Sequence, residues 1–116
     1  MDTTDCIFCR IIAGELPADF LHNDDLVVAF RDITPKAPTH ILLMPREHVA
    51  AAGVLTDVDG PMLGRLFAVA AKLAREAGVA ETGFRLVTNS GKGAGQTVPH
   101  LHFHMLGGRS MRWPPG

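Results

Sequence analysis

Apolar residues recur along this chain with two different periods, and each period predicts one kind of secondary structure. Between residues 62 and 77 the apolar positions are three or four residues apart, which predicts one long amphipathic helix that ends at Gly78. The same spacing predicts a short helix over residues 6–13, which ends at Gly14, shortly before Pro17. One long helix and one short N-terminal helix are therefore expected.

The remaining apolar runs are short and rich in β-prone residues, which predicts five strands. They occupy residues 20–22, 26–31, 40–44, 84–89 and 101–106. A polar cluster at residues 23–25 predicts a β-hairpin between the first two strands. Since most connections are short, the pattern favours an α+β fold with an antiparallel meander sheet over a parallel βαβ sheet. The sequence contains no repeat or linker, so residues 1–116 are expected to form a single domain.

The composition narrows the possible partners. Of the 116 residues, 47% are hydrophobic and 20% are charged, and the formal net charge is −1. A chain this close to neutral lacks the broad positive field that generic binders of nucleic acid or anionic membranes use, so neither partner is expected. The acidic start at residues 1–5 is unlike a signal peptide, and no apolar run reaches the ~18 residues of a membrane span. We therefore expect a cytoplasmic protein.

His100, His102 and His104 alternate with apolar residues in the last predicted strand. Because a strand has a period of two, the three imidazoles are expected on one face, with the apolar side chains in the core. Three neutral rings in a row would need many polar partners if they served packing alone. The run is therefore more typical of a chemical site than of a core.

Metal coordination is the main alternative for this run, since His-x-His on a strand is a familiar ligand pair for zinc, iron or copper. Most oxygenase or cupin-like sites also use a carboxylate, but no Asp or Glu follows Glu81. The cations in that segment are Arg85, Lys92, Arg109 and Arg112. The C-terminal third therefore favours an anion such as phosphate, and three glycines within residues 91–95 suggest backbone close to a ligand.

Residues 100–106, HLHFHML, resemble the His-φ-His-φ-His-φ-φ signature of the histidine triad (HIT) superfamily. Further segments are similar to its Hint branch, the nucleoside phosphoramidases: DITPKAPTH (32–40), NSG (89–91), GQTV (95–98), LGGR (106–109) and WPPG (113–116). The resemblance covers residues 6–116. It implies a HIT-like homodimer that binds purine nucleotides of the AMP or GMP type. It also implies cleavage of the P–N bond of adenosine 5′-phosphoramidates, without a cofactor, through a covalent nucleotidyl-histidine intermediate.

The resemblance assigns catalytic roles to particular residues. His102 would be the nucleophile, with a backbone carbonyl on its other ring nitrogen and His40 behind it as an orienting residue. His104 and the Gly95 amide would contact phosphate oxygens as charge moves onto them. Thr97, where family members commonly have serine, would help to protonate the leaving amine.

The nucleoside part of the ligand is assigned in the same way. Asp32 would accept hydrogen bonds from the ribose hydroxyls, and Asn89 would lie beside the phosphate. Trp113 matches a tail residue that reaches towards the active site of the partner subunit. The positions that match the apolar base pocket of the family are Ile7, Phe8, Ile11, Phe30 and Ile33.

Cys6 and Cys9 are the only cysteines, and their spacing is too tight for a disulfide that closes a useful loop. Such a pair more often serves a metal or redox chemistry, and two distant histidines would complete a tetrahedral zinc site. In zinc-bearing HIT relatives these ligands match His48 and His100. The zinc would be structural, because some Hint relatives lack both cysteines. Two reduced thiols or a redox motif are the alternatives.

Three other functions stay open from the sequence. One is hydrolysis of dinucleoside polyphosphates, which the WPPG tail disfavours. Another is a non-catalytic nucleotide-binding or scaffold module. A redox or metal-dependent enzyme is the third, and it predicts that chelation abolishes activity.

Overall fold

The computed structural model describes residues 5–116, so the first four residues of the predicted domain and most of the acidic start lie outside the described residues. Five strands form one sheet in the order β1-β2-β3-β5-β4, and all neighbours are antiparallel. The strands are β1 (Phe20–Asn23), β2 (Val27–Arg31), β3 (Thr39–Pro45), β4 (Phe84–Val87) and β5 (Phe103–Gly107). The helices are α1 (Ile7–Ile12) and α2 (Gly60–Glu76). Single 3-10 turns lie at Ala52–Val54, Asp57–Asp59 and Lys92–Ala94.

The α+β architecture with five antiparallel strands and two helices confirms the prediction, but the predicted meander holds only for β1, β2 and β3. The chain leaves β3, passes through α2 and enters β4, which runs parallel to β3 one position further out. Then β5 returns into the gap and pairs with both. A crossover between parallel strands needs a dozen or more residues, and the segment that contains α2 has that length.

Helices cover both faces of the central strands, which explains why β2 and β3 are almost entirely buried. Towards α2, a core cluster includes Leu43 of β3 and Met105 of β5. Its members on α2 are Leu66, Val69, Ala70, Leu73 and Ala74, at the predicted helical spacing. Towards α1, Phe8 and Ile11 pack with Phe30 and other residues of β2 and β3 in a second cluster. The candidate functional residues of the sequence analysis lie on this second face.

The long helix begins two residues before the predicted start, directly after the 3-10 turn Asp57–Asp59, in which Thr56 and Asp59 form a capping box. Pro61 lies in the first turn of the helix, where its missing amide leaves no intrahelical hydrogen bond unmade. Its end agrees with the prediction, since Gly78 has φ +76°, a left-handed conformation that glycine adopts readily after a helix. No helix within residues 5–116 is both long enough and apolar enough to cross a membrane.

The last strand begins at Phe103, two residues later than predicted, but the predicted alternation of faces is confirmed. Leu101 lies in the core cluster under α2. His100 and His102 face the other way, with ring centroids 5.9 and 5.0 Å from that of Phe8. Just before this strand, the Thr88 hydroxyl donates to the His102 carbonyl at 2.8 Å.

Candidate active site and metal centre

A cavity of about 300 Å³ opens between α1, the residues that follow β2, and the loop that precedes β5. Its wall includes these predicted nucleotide-binding residues: Ile7, Phe8, Ile11, Phe30, Asp32, Ile33, Thr97, His102 and His104. Most of this wall is apolar, and Ile33 at the mouth is 94% exposed. An apolar wall with a few polar groups at one end suits a flat ring joined to a polar group.

His102 is buried in this wall with one ring nitrogen fixed by the backbone. Its Nδ1 lies 2.6 Å from the carbonyl oxygen of His100. Because a carbonyl oxygen only accepts hydrogen bonds, Nδ1 must carry the proton, and the lone pair is left on Nε2. His102 therefore presents an imidazole nitrogen that can act as a nucleophile.

In His104 the ring proton is fixed on the other nitrogen, through a contact with His40. The Lys36 amide donates to His40 Nδ1 at 2.9 Å, so the ring proton of His40 lies on Nε2. His40 Nε2 in turn lies 2.9 Å from His104 Nδ1 and donates to it. The proton of His104 then lies on its Nε2, which makes that atom a hydrogen-bond donor to a ligand oxygen.

Burial lowers the pKa of both His40 and His104. For His104, the neighbouring His102 and His40 lower the pKa further, and for His40 the Lys36 ammonium does the same. The Asp32 carboxylate opposes part of each shift. Both rings are therefore neutral near pH 7, as the chain of hydrogen bonds requires.

The expected place of His40 needs correction, because His40 packs against His104 rather than behind His102. The His40 and His104 ring centroids are 5.1 Å apart, and the nitrogen contact joins the same two rings. Asp32 Oδ2 lies 3.3 Å from His40 Nε2, while Asp32 Oδ1 accepts from the Thr34 amide at 2.8 Å. Any influence of His40 on His102 therefore passes through His104.

Three other predicted residues lie outside the cavity wall in the part of the chain that the structure describes. Asn89 is half-buried just after β4, and Trp113 is 82% exposed in the tail. Gly95 has φ +87°, and its amide donates to the Lys92 carbonyl at 3.0 Å. The expected contact from this amide to phosphate would require exchange of that hydrogen bond.

Cys6, Cys9, His48 and His100 form a second centre, with one donor atom of each residue within 4.8 Å of all the others. His100 Nδ1 lies 3.4 Å from Cys6 Sγ and 3.5 Å from Cys9 Sγ. His48 Nδ1 lies 3.4 Å from Cys9 Sγ and 3.2 Å from His100 Nδ1. Tetrahedral zinc with ordinary Zn–S and Zn–N bonds places its ligand atoms about 3.3–3.8 Å apart. These four residues could therefore hold a metal ion.

The protonation of this centre also fits a metal. His100 Nε2 lies 2.9 Å from the Pro45 carbonyl, so Nε2 carries the proton and the Nδ1 lone pair faces the cysteines. Burial, together with Cys6, raises the pKa of the Cys9 thiol to about 11. Because a metal binds the thiolate, occupancy of this centre would require Cys9 to release its proton.

Asp32, His40 and His104 also bring three possible metal ligands together. Here the protonation argues against a cation. Because His40 Nδ1 accepts from the Lys36 amide, its Nε2 keeps the proton and cannot offer a lone pair to a metal. Asp32, His40 and His104 are therefore a chain of polar contacts that orients the His104 ring.

Several residues of the site were missed by the sequence analysis. Leu42 lines the cavity. It could have been predicted, because it lies two residues after His40 on β3 and therefore faces the same side of the sheet. Further wall residues are Leu16, Pro17, Ala18, Arg31 and Val98. The groups that fix the histidine protons, which include the Pro45 carbonyl and the Lys36 amide, carry no sequence signal because they act through backbone atoms.

Comparison with known proteins identifies the family. The HIT domain family matches residues 13–111. The purine nucleoside phosphoramidase of Escherichia coli K12 is 47% identical over 105 residues, which cover 90% of this chain and 88% of that protein. A HIT-like protein of Synechococcus elongatus is 47% identical over 97% of both chains. The crystal structure of a HIT family hydrolase from Legionella pneumophila, also 47% identical, has a TM-score of 0.94 and covers 97% of this chain and 100% of that one. This chain belongs to the HIT family, which confirms the resemblance seen in its motifs.

Proposed function

We propose that this chain is a single-domain, homodimeric purine nucleoside phosphoramidase, which cleaves the P–N bond of adenosine 5′-phosphoramidates. The observation that carries the proposal is the 2.6 Å contact between His102 Nδ1 and the His100 carbonyl. It leaves the Nε2 lone pair of His102 for an electrophile, in a wall shared with the donor His104.

In the proposed reaction, His102 Nε2 attacks the α-phosphorus of the bound nucleotide. The P–N bond breaks, its electron pair stays on the leaving nitrogen, and that nitrogen takes up a proton, for which the Thr97 hydroxyl in the cavity wall is the proposed source. Water then attacks the phosphorus of the nucleotidyl-His102 intermediate and gives up a proton, which restores the Thr97 hydroxyl. The P–Nε2 bond breaks, its electron pair returns to His102, and AMP is released. Each step forms one bond to phosphorus and breaks another, so one difficult displacement is replaced by two easier ones.

His104 stabilises the negative charge that grows on the phosphoryl oxygens in both steps. Its Nε2–H is a fixed donor, because His40 donates to the other ring nitrogen. A donor that is already oriented needs no rearrangement when the charge develops. His40 is thus a positioning residue, and Asp32 is proposed to bind the ribose hydroxyls from the same wall.

A structural zinc ion is proposed at Cys6, Cys9, His48 and His100. When bound, it would supply folding free energy and no step of the chemistry, so catalysis itself would need no cofactor. The tail residue Trp113 is proposed to reach the partner's site in the dimer, and Asn89 to contact the phosphate of the bound nucleotide.

The test is the release of AMP from adenosine 5′-phosphoramidate by the purified protein, with His102→Ala beside it. The parent is expected to turn over, and the variant to lose several powers of ten in rate, each worth ~1.4 kcal/mol of barrier. Rapid quenching should trap a nucleotidylated protein in the parent only. The control is His22→Gln, because His22 pairs with Asp24 away from the cavity.

Equal turnover by the parent and His102→Ala would contradict the role of His102. Tight nucleotide binding without turnover would instead favour a binding or scaffold module. Loss of activity on chelation, with the protein still folded, would favour a metal-dependent enzyme.

A further inference from the structure

A glycine-rich loop, residues 91–97, follows β4 and carries Thr97 into the cavity wall that also contains His102. We call it the glycine loop. Its three glycines give the backbone little preference for one conformation. Within residues 5–116, the side-chain hydrogen bonds found in the glycine loop all belong to Gln96. The position of the Thr97 hydroxyl therefore depends on how Gln96 holds the backbone around it.

The side chain of Gln96 fixes the backbone on both sides of Thr97. Its carboxamide oxygen accepts from the Gly91 amide at 2.8 Å, and the backbone amide of Gln96 donates to the Gly91 carbonyl at 3.2 Å. These two contacts close the loop that precedes Gln96. The carboxamide nitrogen donates to the Val98 carbonyl at 3.0 Å. This last contact spans Thr97, so the residues before and after Thr97 are joined through Gln96.

The same carboxamide nitrogen also attaches the glycine loop to the segment that supports the nucleophile. Gln96 Nε2 donates to the Ala50 carbonyl at 2.8 Å. The preceding carbonyl, that of Val49, accepts from the Leu101 amide at 2.6 Å, one residue before His102. Residues 49 and 50 are therefore a common support for the glycine loop and for the chain beside His102. Gln96 connects Thr97 to that support.

The partners of Gln96 permit one orientation of its carboxamide. A carboxamide has an acceptor oxygen and two N–H donors, and Gln96 meets one amide and two carbonyls. A flipped carboxamide would place N–H against the Gly91 amide and oxygen against both carbonyl oxygens. Methionine has a similar size and none of these hydrogen bonds, while glutamate keeps only the acceptor. Both substitutions therefore remove the donors without emptying the space.

We propose that Gln96 is a positioning residue for protonation of the leaving nitrogen, and that it acts by holding the Thr97 hydroxyl where that nitrogen departs. The inference rests on the proposed function, in which the proton moves from the Thr97 oxygen to the nitrogen as the P–N bond breaks and its electron pair stays on nitrogen. Such a transfer requires hydrogen-bond distance between the two atoms. A displaced Thr97 would therefore lose this effect while His102 keeps its nucleophilic nitrogen.

The experiment compares two AMP derivatives that differ in their need for this proton. One is the phosphoramidate of an alkylamine, whose nitrogen must be protonated to leave. The other is the 4-nitrophenyl ester, whose phenolate leaves as a stable anion. The quantity measured is kcat/KM, which includes the steps up to departure of the leaving group and not the later attack of water. Gln96→Met should lower it ~10–10²-fold for the phosphoramidate and less than ~3-fold for the ester.

A double-mutant cycle tests whether Gln96 acts through Thr97. Thr97→Val keeps the shape of the side chain and removes the hydroxyl. In the Thr97→Val background, Gln96→Met should change kcat/KM for the phosphoramidate less than ~2-fold, because no hydroxyl is left to place. Losses that simply multiply would mean that the two residues act independently, and would overturn the inference.

Ser90→Ala is the matched control, because Ser90 also attaches this part of the chain to the segment after β3. Its hydroxyl accepts from the Gly53 amide at 2.9 Å, but it lies before the glycine loop and does not span Thr97. This variant should change kcat/KM by the same factor for both substrates. A selective loss as large as that of Gln96→Met would overturn the assignment to Gln96.

A second variant guards against a folding defect. Urea denaturation shows whether each protein is folded under the assay conditions. If Gln96→Met is not, Gln96→Glu takes its place, and it should show the same selective loss because it lacks both donors.

The remaining outcomes separate this inference from the proposed function. An equal loss for both substrates in Gln96→Met, or no loss for either, would overturn the inference and leave the proposed function standing. If Thr97→Val cleaves the phosphoramidate as fast as the parent, the proton has another source, and the inference fails together with that step. No turnover of either substrate by the parent would overturn both proposals.

Discussion

The two faces of β5 and the residues just before it hold their side chains by different means. On the face towards α2, the side chains pack by shape in an apolar core. These residues are Leu101, Phe103 and Met105. On the other face, His100 and His102 each have one ring nitrogen on a backbone carbonyl, and His104 has His40. The core face depends on how well the side-chain volumes fill the space, whereas the histidine face depends on the direction of individual hydrogen bonds.

This difference has a physical cause. Dispersion and apolar burial depend on area and packing and have little directional preference. A neutral imidazole has one donor and one acceptor nitrogen, and its chemistry depends on which nitrogen holds the proton. Alternation along the strand therefore assigns stability and chemistry to alternate residues.

The largest expected effect is at the Cys/His centre. There His100 lies on the histidine face, but as a zinc ligand it would contribute to stability and not to catalysis. At a free zinc concentration 1,000-fold above Kd, bound zinc would add about 4 kcal/mol to the free energy of unfolding. Chelation should therefore lower the denaturation midpoint, and a Cys6→Ser, Cys9→Ser variant should no longer respond to chelator. An unchanged midpoint in the chelated parent would refute a stabilising metal.

A smaller but clear effect is expected when the hydrogen-bond donor of His104 is removed. His104→Ala should lower kcat ~10²–10³-fold, because one fixed donor to the phosphoryl oxygen is removed. Its free energy of unfolding should change much less than its activation barrier. Steady-state kinetics and urea denaturation on the same sample check both. If the loss of stability accounted for the whole loss of rate, the assignment of chemistry rather than stability to the histidine face would be wrong.

On the core face the opposite result is expected. Met105 is fully buried, and Met105→Ala should cost about 2–5 kcal/mol of stability through lost burial and a cavity. The rate per folded molecule should stay near that of the parent under conditions where the variant is folded. A lower rate in the fully folded variant would mean that the two faces are coupled.

The smallest expected effect is on pH dependence. Burial lowers the pKa of His40 below its ordinary value of 6.5, so the unfolded chain binds more protons once the pH falls below about 6.5. The stability from neutral His40 is complete above that pH and is lost below it, by at most ~1.4 kcal/mol per pH unit. His40→Gln should therefore reduce the slope of stability against pH between about pH 7.5 and 5.5, while His104, whose pKa is also lowered, keeps part of that slope. Parallel curves for parent and variant would contradict this account.

The sequence predicted those parts of the molecule that depend on local periodicity. The alternation around His102 and the apolar stripe of α2 are set by residues a few positions apart, and both were predicted correctly. The strand order was not, because pairing of β5 between β3 and β4 depends on where a long crossover returns. The contact of His40 with His104 was also missed, since it joins residues 64 positions apart.

The Cys/His centre also bears on when the chain can bind metal as it is made. Cys6 and His100 are 94 positions apart, so their donor atoms meet only after the chain has been synthesised beyond residue 100 and the strands between them have paired. Closing so long a loop in an unordered chain is entropically unfavourable, whereas the folded sheet makes the same closure without that cost. High-affinity metal uptake would therefore follow synthesis of residue 100, and would distinguish chains that extend beyond this residue from fragments that stop before it.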